Sequence, residues 1–391
     1  MKKEMILNLG GALLLTLAGA TASGQAPVIG LFGQNGLLAC TNLLPGSTAN
    51  VEWAASALGP WTNTWTGLTV VTADSNGAIR VSVPMFYRVC GEAVPTNMAL
   101  IPAGAFVMGD ILNDSQNPTL GYPVHEVSVR ALCIDRYEVT KALWDEVFNW
   151  ATNCPAGLRY DFDNPGSFFS GALHSKGPDH PVHSVNWYDA VKWCNARSEK
   201  EGRTPSYYTT ASQTAVYRSG QVDVQNEWVK WTTGYRLPTE AEWEKTARGG
   251  ASGHRFPWSN VDTITHSQAN YYSTNSYAYD ISPTREYHPA FAVGEPIYTS
   301  PVGFFAANGY GLYDMAGNVD EWCWDWFDGL YYGSSPASDP LGPDSGMYRT
   351  ARGGCWASIT TYCRTARRNY AAPQSGASDV GFRTILPLPL P

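Results

Sequence analysis

Two cysteines near the C-terminal end of the chain could bind a metal ion. Cys355 and Cys363 lie eight positions apart in the stretch RGGCWASITTYCRTARR, which begins at residue 352. A pair of thiolates suits a soft metal ion such as Cu(I). In an oxidising compartment the same two thiols could form a disulfide, and two buried structural cysteines are the third alternative. Residue type and spacing leave all three open.

A second stretch, NGYGLYDMAGNVDEW at 308–322, could bind a hard cation. It combines several glycines with the oxygen side chains of Asp314, Asn318, Asp320 and Glu321. Such a mixture suits Ca²⁺, because a bent backbone can turn its carbonyls toward the ion. The alternative is a solvated acidic turn, and composition alone favours that alternative.

Three other polar groups are interpreted as structural. His180 and His183 have a spacing that Zn²⁺ could use, but Pro181 excludes a helix and no thiol or acid accompanies them, which favours hydrogen bonding. The glutamates of TEAEWE suit the first turn of a helix. Pairing with internal carboxylates is the interpretation for most of the C-terminal arginines, which are Arg364, Arg367, Arg368 and Arg383.

Three helices are predicted to position these groups. The first begins after Thr140 and runs KALWDEVFNW. The second, NWYDAVKWCNARSEKEG, places apolar residues on one face and ends at Gly202. The third, PTEAEWEKTARGG, has Thr239 and Glu242 at the spacing of a capping box. The segments between them carry little periodicity, so the sequence predicts a loop-rich domain.

Composition limits the classes of function. The 391 residues suffice for one large core and a smaller module. Only 15% of residues are charged, whereas glycine (38), proline (26), tryptophan (15) and tyrosine (22) are abundant, which favours a globule that buries aromatic rings. The net charge of −8 offers no basic surface for phosphates, so nucleic-acid binding is not expected.

The N-terminal segment 1–22 is predicted to be a secretory signal peptide. Two lysines precede an apolar run from 6 to 17, and small residues follow at 20–22. The run is too short to span a bilayer comfortably, so we expect a secreted or periplasmic protein without stable membrane insertion. Export would permit disulfides, and Cys40 and Cys90 could form one.

Residues 27–92 are predicted to form a small antiparallel β-module. Short apolar runs alternate with turn signals, and the runs at 70–71 and 79–83 flank Asp-Ser-Asn-Gly, which predicts a β-hairpin. A linker at 91–97 follows. From Met98 onward strands, helices and long loops are mixed.

Taken in order, the motifs of the larger region resemble the formylglycine-generating enzyme family, also called the sulfatase-modifying factor domain. The resemblance covers residues 98–386. It implies an α+β fold related to C-type lectins, with little regular secondary structure. The motifs that carry it are IPAGAFVMGD, YEVT, HPVHSVNWYDAVKWCN, YRLPTEAEWEKTARGG, FPWS, NGYGLYDMAGNVDEW, RGGCW, CRTARR and GFR.

The resemblance also implies bound Ca²⁺ and replaces the solvated-turn interpretation. One calcium site would use the side chains of Asp314 and Glu321 and the carbonyls of Gly317 and Val319. A second site would use three other residues, Asn270, Tyr271 and Glu295.

Catalytic members of the family use Cu(I) and O₂ to oxidise a sulfatase cysteine to formylglycine, and here the copper motif departs from theirs. Their two glycines are followed by Ser-x-x-Cys and by a second cysteine five residues later. In this sequence Cys355 stands at the serine position and Ser358 at the first cysteine position, while Cys363 matches the second. Asp320 replaces the tryptophan that usually lines the active-site groove, beside Trp356.

These departures favour a member of the family that has lost the copper site and binds a peptide or small ligand in its groove. The alternative is an oxidase that uses Cys355 and Cys363 as a substitute copper pair and acts on a sulfatase. A third activity, iron-dependent joining of sulfur to histidine derivatives, would need an additional helical domain with histidine ligands, and the sequence contains no such segment.

Overall fold

The computed structural model describes residues 28–32, 37–54, 71–82, 86–90, 94–113, 121–166, 177–294 and 297–388. The chain divides into two compact units. One comprises 1–102, 131–133 and 387–391, and the other comprises 103–130 and 134–386. The predicted signal peptide lies outside the described residues. Within the described residues, no helix combines the length and the apolar character needed to cross a bilayer.

The first unit contains two three-stranded antiparallel sheets, with strand orders β1-β2-β5 and β4-β3-β6. Each sheet thus combines strands that are close in sequence with one from further along the chain, since β2 pairs with β5 and β3 with β6. A further strand, β7, follows. The bounds are β1 Val28–Phe32, β2 Leu37–Thr41, β3 Thr48–Ala54, β4 Val71–Thr72, β5 Ile79–Ser82, β6 Phe86–Cys90 and β7 Met98–Ile101.

The predicted hairpin around residues 74–77 is wrong in its strand pairing. The turn itself forms, because Gly77 N–H donates to the carbonyl of Asp74 at 2.9 Å. However, β4 pairs with β3 and β5 pairs with β2. The turn is instead bound to a neighbouring loop, where Leu43 N–H donates to the Gly77 carbonyl at 3.1 Å. An alternating strand fits any antiparallel edge, so the pattern predicts the strand but not its partner. Cys40 carries a free thiol, so the structure does not contain a Cys40–Cys90 bridge.

The second unit confirms the predicted α+β fold with little regular secondary structure. Its largest sheet has the order β13-β12-β11-β14, and β8 pairs with β9 in a separate ribbon. Long loops connect these elements. The remaining strands are β8 Gly104–Met108, β9 His125–Val129, β10 Leu132–Asp135, β11 Asp320–Trp326, β12 Arg349–Arg352, β13 Asn369–Ala371, β14 Val380–Gly381 and β15 Ile385–Pro387.

The three predicted helices are confirmed as α1 (Lys141–Thr152), α2 (Trp187–Lys200) and α3 (Glu240–Ala247). Each begins at a side chain that accepts a backbone N–H of the first turn, which satisfies a donor that the helix leaves unpaired. The capping box of α3 is complete. The caps are Thr140, Asn186 and Thr239.

The polar groups interpreted as structural are paired internally. His180 Nδ1 lies 2.9 Å from Thr299 Oγ1 and His183 Nδ1 lies 3.0 Å from Ser184 Oγ. All three glutamates of α3 form ion pairs with buried arginines. Three of the four C-terminal arginines bind carboxylates as predicted, in the pairs Arg364–Asp110, Arg368–Glu240 and Arg383–Glu321. The fourth, Arg367, stacks on the Tyr362 ring at 4.4 Å instead.

Candidate functional site

Strand β11 brings the glycine-rich turn at 314–319 close to the loop that contains Cys355 and to strand β14. It pairs with β12 on one side, with Glu321 opposite Arg352, and with β14 on the other, with Asp320 opposite Val380. The glycine-rich turn at 314–319 leads into β11, and the cysteine-containing loop follows β12. Segments far apart in sequence therefore meet at the N-terminal end of this strand.

The thiol of Cys355 faces polar groups in this region. Its side chain is almost completely buried, and Sγ lies 3.2 Å from Ser358 Oγ and 3.6 Å from Asp379 Oδ2. Burial raises the pKa of the Cys355 thiol well above its usual value, and the carboxylates of Asp320 and Asp379 raise it further. The neutral thiol is therefore the favoured form.

The thiol of Cys363, by contrast, lies among apolar side chains. It is fully buried in an apolar cluster that includes Phe256, Ile264 and Ala316. Burial raises the pKa of Cys363, with smaller contributions from Asp320 and Asp280. Both cysteines carry free thiols, so the disulfide alternative is not realised in this structure.

These surroundings do not fit a Cu(I) ion held by Cys355 and Cys363. A Cu(I) ion shared by two cysteines needs both sulfurs to face it. One sulfur contacts a hydroxyl and a carboxylate, and the other lies in the apolar cluster. The two sulfurs therefore lie in different surroundings, one polar and one apolar.

Asp320, the residue that replaces the groove tryptophan, is a partly exposed carboxyl. Its Oδ1 accepts hydrogen bonds from Gly354 N–H at 3.0 Å and from Asn369 Nδ2 at 2.7 Å. Burial raises the pKa of Asp320 to about 7, and the neighbouring Asp379 carboxylate adds to the shift. Trp356, predicted to line the same groove, packs its ring against Tyr298 with the centroids 5.4 Å apart.

The first predicted calcium set is buried and includes an oxygen without a partner. Asp314 Oδ2 accepts from Gly303 N–H at 2.6 Å, whereas its Oδ1 has no hydrogen-bond partner among the described residues. Burial raises the pKa of Asp314 to about 6, and Glu321 adds to the shift. Both oxygens of Glu321 accept from Arg383 at 2.6 Å. A buried, unpaired carboxylate oxygen of this kind is what a hard cation would satisfy.

The backbone between these two acids is tightly packed. Gly317 has φ +81°, and an ideal Cβ there would lie only 2.3 Å from the carbonyl oxygen of Asn270. Val319 N–H donates to Glu138 Oε1 at 3.2 Å. In the part of the chain that the structure describes, no three His, Cys, Asp or Glu side chains are arranged to hold a metal ion by themselves. Calcium here would depend on backbone carbonyls, as the resemblance implies.

The second predicted calcium set is less complete. Asn270 Oδ1 is buried without a hydrogen-bond partner among the described residues. The carbonyl of Tyr271, however, lies 3.1 Å from His266 Nε2, so an imidazole N–H already occupies one of its acceptor directions. Glu295 lies outside the described residues. The ligand set of this site stays a prediction.

Sequence reasoning assigned no role to two acidic residues at the site, Glu138 and Asp379. Glu138 is almost completely buried, and its Oε2 accepts from Asn318 Nδ2 at 2.6 Å. Burial raises the pKa of Glu138 well above its usual range, and Asp314 and Glu321 raise it further. Glu138 belongs to the YEVT motif, so the signal was present in the sequence.

Comparison with known proteins agrees with the fold and the motifs. Residues 89–388 match the family model of the sulfatase-modifying factor enzyme 1-like domain. The chain is 34% identical to the formylglycine-generating enzyme of Streptomyces coelicolor over 72% of its own length and 87% of that protein. It is 32% identical to the chaperone protein LppX of Paenibacillus barcinonensis, over 75% of its own length and 90% of that protein.

Comparison with solved structures also gives a match over most of the chain. Treponema denticola variable protein 1 matches with a TM-score of 0.53 and 31% identity, over 74% of this chain and 94% of that one. Relatives of this domain therefore include proteins named as formylglycine-generating enzymes and proteins named otherwise. The chain belongs to the sulfatase-modifying factor family, the family of the formylglycine-generating enzymes.

Proposed function

We propose that this protein is an exported, calcium-stabilised member of the family that binds a ligand in its groove and does not oxidise cysteine. The observation that carries the proposal is the exchange of Ser and Cys at positions 355 and 358. The thiol at 355 contacts a hydroxyl and a carboxylate, and the position of the first copper cysteine holds Ser358. A hydroxyl is a poor ligand for a soft ion.

The groove offers polar groups for binding. Asp320 stands where catalytic members have a tryptophan, so a carboxyl replaces an apolar wall. Its second oxygen accepts no hydrogen bond from the described residues, and Asn369 and Ser358 add an amide and a hydroxyl nearby. These groups support recognition of a peptide or small polar ligand rather than of an apolar one. Calcium, held by Asp314, Gly317, Val319 and Glu321, would stabilise the loop that leads to this groove.

The deciding experiment is a Cu(I) titration of the reduced chain without its signal peptide. The wild type, Cys355→Ser and Cys363→Ser are expected to bind no Cu(I) tightly. The double variant Cys355→Ser/Ser358→Cys restores the family's Ser-x-x-Cys order and serves as the gain-of-function comparison. One tightly bound Cu(I) in the wild type, lost in both single variants, would establish the oxidase alternative instead.

Product analysis gives an independent readout. The protein is incubated with copper, O₂ and a peptide that carries the sulfatase Cys-x-Pro-x-Arg segment, and the peptide mass is then measured. We expect the cysteine to remain unmodified. Formylglycine formed by the wild type, and abolished in Cys363→Ser without loss of the folded domain, would refute the proposal.

A further inference from the structure

Four buried charged side chains meet beside the turn at 314–319. The relative exposures are 1% for Glu138, 7% for Asp314, 0% for Glu321 and 0% for Arg383. Electrostatic interactions link the arginine to all three acids. This cluster therefore contains three carboxyl groups and one guanidinium.

The guanidinium neutralises only one of the three acids directly. Arg383 Nε and Nη2 bind both oxygens of Glu321 at 2.6 Å. Glu138 and Asp314 form no ion pair of their own among the described residues, and Asp314 Oδ1 lacks even a hydrogen bond. Buried charges are held by partners or by metal ions. Two of the three buried carboxyl groups therefore have no ion pair among the described residues, and a cation beside the turn would supply one.

Glu138 also holds the backbone that would supply carbonyl ligands. Its Oε1 accepts Val319 N–H at 3.2 Å and its Oε2 accepts Asn318 Nδ2 at 2.6 Å. Asn318 N–H in turn donates to the Asn270 carbonyl at 2.8 Å. Both oxygens of the carboxyl group are thus used to hold the turn, so Glu138 would act on the ion through the turn.

We propose that Glu138 is a positioning residue of the calcium site: its carboxyl group accepts hydrogen bonds from Asn318 and Val319 and so orients the turn at 317–319, whose carbonyls would bind the ion. This inference rests on the calcium site proposed above. It does not depend on whether the groove binds ligand or copper.

The test is a calorimetric titration with Ca²⁺ alone, on the full mature chain freed of divalent ions, together with melting temperatures in chelator and in saturating Ca²⁺. Glu138→Gln is expected to weaken Ca²⁺ binding by about 10–100-fold, as is usual for residues that orient ligands. Glu138→Asp, which retains both acceptor oxygens, is expected to bind Ca²⁺ more tightly than Glu138→Gln. In chelator, Glu138→Gln should melt somewhat lower than the wild type, because its amide has one acceptor oxygen for the two hydrogen bonds that hold the turn, and this deficit should widen in saturating Ca²⁺.

The matched control is Glu242→Gln. Glu242 is also buried, but it pairs with Arg236 at 2.6 Å, so its variant should melt lower in both conditions and bind Ca²⁺ like the wild type. A purely structural Glu138 would behave in the same way as this control. Wild-type protein that binds no Ca²⁺, unchanged affinity in Glu138→Gln, or failure of that variant to fold in chelator would each overturn the proposal. A positive Cu(I) titration would refute the proposed non-oxidase function and leave this result standing.

Discussion

Replacement of Gly317 by alanine should destabilise the second unit more than a glycine replacement normally does. Gly317 has φ +81°, a conformation that costs other residues about 1–2 kcal/mol. The added Cβ would also lie 2.3 Å from the oxygen and 3.0 Å from the carbon of the Asn270 carbonyl. These are backbone atoms, so the clash can be relieved only by moving one loop away from the other. That movement stretches the 2.8 Å bond from Asn318 N–H to the same carbonyl, which contributes about 0.5–1.5 kcal/mol.

The expected loss in unfolding free energy is therefore about 2–4 kcal/mol, measured by urea unfolding in saturating Ca²⁺. Gly157→Ala is the matched control. Gly157 has φ +89° with no atom within 4 Å of the added Cβ, so its replacement should cost only the conformational part. Because Gly317 is a proposed calcium ligand through its carbonyl, Gly317→Ala should also reduce the gain in melting temperature that Ca²⁺ produces. Equal costs for the two variants would show that the contact between the turn and Asn270 is absent, and would refute the reasoning.

Two further predictions concern buried charges in the second unit. Burial, and then the Glu240 carboxylate, raise the pKa of Asp325 to about 8. The folded state therefore holds this proton more tightly than the unfolded chain, so the stability contributed by Asp325 is present at low pH and is lost as pH rises from about 4 to about 8. Urea unfolding across that range should show Asp325→Asn gaining on the wild type as pH rises, and a constant difference would contradict the assignment. Arg349 lies between the rings of Trp187 and Trp326 at 3.6 and 3.5 Å, and it forms no ion pair among the residues that the structure describes. Arg349→Lys should cost about 2 kcal/mol, because the flat guanidinium stacks on both rings and an ammonium cannot, whereas Arg349→Met should cost less because it removes a buried charge. The reverse order in urea unfolding would show that charge, not stacking, holds this position.

Short sequence patterns predict where helices and turns lie better than they predict which strands pair. Thr140 and Thr239 each precede a helical pattern, and a cap acts within its own first turn, so both helix starts are read correctly. The turn at 74–77 also forms as predicted, but its flanking strands β4 and β5 pair with β3 and β2 instead of with each other. Strand pairing depends on distant edges, and an apolar alternation does not name them.

In the candidate site, too, residues close in sequence are predicted to lie together, whereas a contact from a distant segment is not predicted. Asp314 and Glu321 are seven residues apart and share one turn, so a single motif predicts that they lie together. Glu138 reaches the same turn from more than 170 residues away, and only the folded chain shows that it accepts Val319 N–H. The motif alone therefore does not reveal which acidic residues belong to the cluster.

The two cysteines show why spacing cannot decide a metal site. Cys363 stands at the position of the second copper cysteine, yet its sulfur is enclosed by apolar side chains and by the backbone of the glycine turn. An ideal Cβ on Gly354 would lie 3.0 Å from Cys363 Sγ, so the absence of a side chain at Gly354 is what leaves room for the sulfur. Asp320 accepts Gly354 N–H at 3.0 Å and so holds the backbone that borders the Cys363 sulfur. The carboxyl that replaces the groove tryptophan therefore supports the non-oxidase proposal in two ways: it raises the pKa of both thiols, and it holds the backbone immediately before Cys355.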